Sequence, residues 1–227
     1  MAEIYNDVPA YQQMIHSETV SFLGNPEAPL RILILGNSIT RHGPKEDIGW
    51  PHDWGMAASC QEKDFVHRLY TMLTQSGSDV YMRICQVAAW EREFRDPRAL
   101  EAFTGERDFL PNVIVFRLCE NVAEADVPDF GEAAEKLIQY IRPQNCALVV
   151  TSSFWPHAAK DPLLRQLSRK LGGTFVDIGY TDDDMLALGK FEHRGVSIHP
   201  DDKGMEMIAS KLFPAISEGK GENSHVF

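Results

Sequence analysis

Three short segments carry residue types that, brought together, could attack an acyl group. Gly36-Asn37-Ser38-Ile39-Thr40 follows a continuously apolar run. A serine just past a buried strand, with a glycine two residues before it, can stand on a sharp strand-to-helix turn and present its own N–H to an oxyanion. Arg117-Leu118-Cys119-Glu120-Asn121 continues a second apolar run. There Asn121 could aim a side-chain N–H into the same cleft. Gly195-Val196-Ser197-Ile198-His199-Pro200-Asp201-Asp202 lies near the C-terminus. Pro200 suits the first turn of a helix, and the two aspartates favour a helix start, so His199 sits on a fixed corner. Taken singly, a turn or a cap is the commoner reading of Ser38 and of Asn121, and a loop histidine is more often a surface residue. Taken together, the segments offer a nucleophile, a base and an oxyanion donor.

The elements that must position these residues follow an alternating order. Apolar, β-branched runs predict strands at 31–35, 80–88, 112–118, 146–151 and 174–178, and helical spacing predicts helices at 61–75, 130–141, 162–171 and 201–213. Strands alternating with helices imply a three-layer α/β/α domain, doubly wound on a mostly parallel five-stranded sheet. In such sheets the reactive groups lie beyond the carboxyl ends of the strands, which is where all three segments fall. No linker divides the 227 residues, so a single domain is expected, with residues 1–30 an N-terminal extension and 217–227 a flexible tail.

Composition narrows the partners. A net charge of −11, with no run of Lys or Arg, is a poor match for nucleic acid. No stretch approaches the ~18 apolar residues of a membrane span. The first 30 residues do not read as a secretion signal, which points to the cytoplasm. Cys60, Cys85, Cys119 and Cys146 make no CxxC pair and read as reduced thiols. His42, His52, Asp53 and His67 match no metal-ligand spacing, so no metal is expected.

The order Ser, Asn, His resembles the SGNH (GDSL-like) hydrolases from about Arg31 to Phe213. Gly36-Asn37-Ser38 looks like that family's first block, with Asn37 for the usual Asp. Cys119-Glu120-Asn121 looks like its third, with Cys119 for a Gly and Val122 for an Asp, and His199-Pro200 followed by Gly204-Met205 looks like its fifth. The resemblance implies a flavodoxin-like fold and a serine esterase without cofactor, acting on a small-molecule ester through Ser38, His199 and Asn121. Two departures stand out. The family usually has Asp three residues before the His, where this chain has Val196. A backbone carbonyl, Glu192 or an acid after Pro200 must then orient His199, with the carbonyl slightly favoured. The family's second block supplies a glycine N–H, whereas this chain reads Val87-Ala88-Ala89-Trp90-Glu91, so Ala89 or Trp90 would have to donate.

The long 41–59 loop holds Trp50 and Trp54. With Trp90, these are expected either to line a pocket for a sugar or small acyl group, acetyl among them, or to anchor their segments. Arg117 could meet an acidic substrate group, although an ion pair closing the strand end is the commoner fate. An acyltransferase on the same fold, or a ligand-binding protein that has lost catalysis along with the Asp, fits the same motifs. A phosphate loop fits less well, because Gly36 to Thr40 holds one glycine and no lysine.

Overall fold

The computed structural model describes residues 19–217. Six strands form one sheet: β1 (Val20–Gly24), β2 (Leu30–Gly36), β3 (Val80–Gln86), β4 (Val113–Phe116), β5 (Ala147–Thr151) and β6 (Thr174–Val176). Their spatial order is β1-β3-β2-β4-β5-β6, with all pairings parallel except β1 against β3. The sheet thus has six strands rather than the five expected. The extra one, β1, is a half-exposed antiparallel edge strand, and its side chains lack the continuous apolar run that marks a central strand.

Period-two alternation sends the side chains of β2 to two separate cores. Ile32 and Ile34 face α1 (Phe65–Gln75), and Leu33 and Leu35 join the core formed on the opposite face. On that opposite face lie α2 (Ala88–Glu93), α3 (Thr104–Asp108), α4 (Val127–Ile141) and α5 (Lys160–Lys170). Phe130, Leu137 and Leu164 supply much of its filling. The short α6 (Arg194–Ser197) leads into α7 (Asp202–Ser217), which packs beside α1 through Met205, Ile208 and Leu212. Helices on both faces make the three-layer doubly wound arrangement.

Helix boundaries moved where capping chemistry decided them. Helix α1 starts at Phe65 because Asp64 caps it, accepting from the His67 N–H at 2.8 Å. Helix α4 starts three residues earlier than its apolar period suggested, with Pro128 in its first turn. Helix α7 runs through Pro214 to Ser217 instead of stopping near Phe213. Of the expected N-terminal extension, residues 1–18 lie outside the described residues, as does the expected tail after Ser217. No helix among the described residues is long and apolar enough to cross a membrane.

Candidate active site

The turn after β2 is shaped by a close approach. A Cβ at Gly36 would lie 1.8 Å from Thr40 Oγ1, so only glycine lets the chain fold back here. The N–H groups of Thr40 and Arg41 both donate to the Asn37 carbonyl, at 2.9 and 3.0 Å. This tight turn leaves Ser38 half-buried at the sheet edge.

The other corner is built around His199. Helix α6 is one turn long, and its Gly195 carbonyl points back at the imidazole, 2.6 Å from Nδ1. A carbonyl only accepts, so Nδ1 carries the hydrogen and Nε2 keeps its lone pair. That lone pair meets Ser38 Oγ at 2.8 Å. The hydroxyl therefore donates to a neutral imidazole, the starting arrangement for general-base activation. Glu192 is exposed, while Asp201 binds Lys190 and Asp202 binds Ser59 and Lys63, so each acid proposed for His199 is engaged elsewhere or faces solvent. Val196 is fully buried in an apolar cluster with Trp50, Met56, Ala57 and Ala187. Burial lowers the His199 pKa to about 4. The Gly195 bond opposes this, while the charges of His42 and Arg117 push the same way.

Asn121 lies at the open rim beyond β4, with its amide held from below. Its Nδ2 donates to Glu91 Oε2 at 2.6 Å, and the Cys119 N–H donates to Glu91 Oε1 at 2.6 Å. Asn37 Nδ2 reaches Glu91 Oε2 at 3.2 Å and Glu120 Oε2 at 2.7 Å. Arg117, fully buried, donates to Asn37 Oδ1 at 2.9 Å and pairs with Glu120 at 2.7 Å. The ion-pair fate anticipated for Arg117 is thus the one adopted. Asn37 must donate to two carboxylates and accept from a guanidinium, which an Asp at that position could not do. Burial and the Glu120 charge raise the Glu91 pKa, opposed by the bonds from Asn121 and Cys119.

On the second-block segment, the Trp90 N–H is taken by the Val87 carbonyl at 2.9 Å, and the Ala88 N–H by Gln86 Oε1 at 3.3 Å. Of the two donors considered there, Ala89 is the one left at the start of α2.

Two aromatic expectations are corrected. Trp50 is fully buried, and its Nε1 donates to the His42 carbonyl at 2.9 Å, so it anchors the loop rather than lining a pocket. Trp90 is only 2% exposed and packs on Phe94, Phe103 and Phe130 in the core. Both are large side chains whose burial outweighs any surface role. Trp54 is half-buried, stacked on His52 at 4.1 Å, with its Nε1 on the Ala58 carbonyl at 3.0 Å. The loop is tied to the Ser38 turn, as the Met56 N–H donates to the Ser38 carbonyl at 2.9 Å. The tryptophan beside the imidazole is Trp155, after β5, edge-on to His199 at 5.4 Å and bonded through Nε1 to the Ile198 carbonyl. Its place at the carboxyl end of a strand was the signal that could have singled it out. Among the described residues, no three His, Cys, Asp or Glu side chains are arranged to hold a metal ion.

No family model matches the sequence, and no curated protein matches it closely. Solved structures do share its fold. The Axe2 acetylxylan esterase of Geobacillus stearothermophilus is 12% identical with a TM-score of 0.55, over 83% of this chain and 94% of its own. The psychrotrophic esterase EstA of a Pseudoalteromonas species is 16% identical with a TM-score of 0.53, over 83% and 97%. A protein from Parabacteroides merdae described as a GDSL-like lipase is 16% identical with a TM-score of 0.54, over 85% and 98%. The chain has the three-layer fold of SGNH (GDSL-like) hydrolases, with Ser38 and His199 in contact at the edge of its sheet.

Proposed function

We propose that the protein is a serine esterase that hydrolyses a small acyl ester, with Ser38 as nucleophile and His199 as general base. The observation that carries this reading is the Ser38 Oγ to His199 Nε2 contact of 2.8 Å, with Nδ1 held on the Gly195 carbonyl. His199 takes the Ser38 proton as Oγ attacks the ester carbonyl. The Ser38 N–H, the Ala89 N–H and the free N–H of the Asn121 amide receive the oxyanion. The tetrahedral intermediate collapses, the alcohol leaves with the proton from His199, and water deacylates the serine by the reverse path. A carbonyl in place of the usual acid fixes the imidazole tautomer but does not neutralise the imidazolium, so the site is a Ser-His dyad.

The acyl group is small, acetyl being the first candidate, and a carbohydrate is the favoured alcohol. In support, one protein of the same fold is an acetylxylan esterase. Trp155 stands edge-on to the base, and the His52–Trp54 stack lies on the loop bonded to Ser38. The test is labelling with an aryl phosphonofluoridate, read by intact mass. A single adduct on the wild-type protein and none on Ser38→Ala is expected. A folded wild-type protein that takes no adduct, and hydrolyses no aryl acetate, would overturn the reading.

A further inference from the structure

The buried acid at residue 91 has no part in the chemistry just described, yet it touches the machinery from beneath. Glu91 is 1% exposed on α2, beside the apolar core that holds Trp90. Every group hydrogen-bonded to its carboxyl is a donor: the Asn121 amide and Cys119 N–H at 2.6 Å, the Asn37 amide at 3.2 Å, and the Asn121 N–H at 3.4 Å, with Glu120 the nearby like charge. A proton on this carboxyl would find no acceptor among them, so the hydrogen-bond set favours the carboxylate. Cys119 has φ of 121°, a backbone conformation that favours glycine, and the Glu91 carboxylate holds its N–H in that conformation. An amide group is planar, so fixing one Nδ2–H of Asn121 on Glu91 fixes the direction of the other.

We propose that Glu91 is a positioning residue that locks the Asn121 amide, and the Cys119 turn that carries it, so that the second amide N–H points at the oxyanion. The proposal rests on the esterase reading above. Glutamine at 91 keeps the size but offers one acceptor and one NH₂. It can serve the Cys119 N–H or the Asn121 amide, and it turns a donor toward the other. The backbone N–H cannot swing away, so Asn121 is the group released.

The test is a double-mutant cycle on 4-nitrophenyl acetate with Glu91→Gln, Asn121→Ala and the pair. Glu91→Gln should lower kcat roughly 10- to 100-fold, as for a misplaced oxyanion donor, with KM held within about threefold. In the Asn121→Ala background the same change should cost no more than about threefold, since its target is gone. A Glu91→Gln protein within about threefold of wild type, or an equal loss with and without Asn121, would overturn the proposal and leave Glu91 a purely structural acid. Should Glu91→Gln alone not fold, the cycle is run on Cys119→Gly, whose glycine takes the turn without the carboxylate. If the wild-type protein proves inert toward esters and the phosphonate, the esterase reading falls first. The Asn121 side-chain amide signals, identified by their loss in Asn121→Ala, then decide about Glu91: one proton should move upfield in Glu91→Gln, and unchanged signals overturn the contact.

Discussion

The two sides of the candidate site are oriented by opposite means. On the His199 side, a neutral backbone carbonyl does the work, through one bond of 2.6 Å. On the Asn121 side, a buried carboxylate does it, at the same 2.6 Å, within a network that also holds Asn37, Arg117 and Glu120. The carboxylate of the site stands behind the proposed amide donor, Asn121, and not behind the proposed base, His199. A neutral carbonyl lets the imidazole stay unprotonated in its apolar corner, where burial already lowers its pKa. On the other side, burial and the Glu120 charge raise the Glu91 pKa, and the donors around the carboxyl oppose that rise.

The comparison is broken most severely at the base. His199→Ala should lower kcat/KM on an aryl acetate by on the order of 10⁴- to 10⁶-fold, with the fold retained by circular dichroism. A loss below tenfold would remove His199 from the reaction. Next comes Val196→Asp, which puts the family's usual acid into a cluster of Trp50, Met56 and Ala57. Burying an unpaired carboxylate there should cost about 3–5 kcal/mol of stability, read as a lower denaturant midpoint. Unchanged stability with higher activity would show that the acid reaches His199 after all.

Asn37→Asp makes the matching test on the other side. A third carboxylate beside Glu91 and Glu120 loses two donated bonds, and should cost about 2–3 kcal/mol by the same measurement. An unaffected midpoint would show that the network tolerates the charge. The mildest effect is on pH dependence. In the proposed reaction the neutral imidazole is the base, and burial lowers its pKa, so protonation should remove activity only at low pH. The kcat/KM profile should hold on falling from neutral pH through the ordinary histidine value of 6.5, and drop with an apparent pKa of about 4. A drop centred near 6.5 would mean that His199 is solvated in the working enzyme.

Much of this could be read without coordinates. Continuous apolar runs are visible as local composition, and they marked β2, β4 and β5 to within a residue or two. Ser38 was legible through a glycine that permits a tight return, and His199 through the helix start just after it. The cap, however, is Asp201, with the helix beginning at Asp202, and Pro200 stands before it in a bridge to Leu186 instead of in the first turn. Strand β1 was missed because a half-exposed edge strand has no continuous pattern. Trp50 and Trp90 were expected near a pocket because tryptophan signals a large surface to bury, and sequence alone does not say against what.

What the sequence by itself determined is the order of elements and the residue types available at one edge of the sheet, since both depend on short-range pattern. What only the tertiary structure decided is which groups meet. Gly195 carries no side chain to advertise its role, and its carbonyl reaches His199 only because α6 closes in a single turn. Glu91 and Asn121 stand thirty residues apart along the chain, and they touch only because β3 and β4, on either side of β2, deliver the segments after them to the same edge. Contacts of that kind depend on strand order and register, which single-residue patterns do not encode.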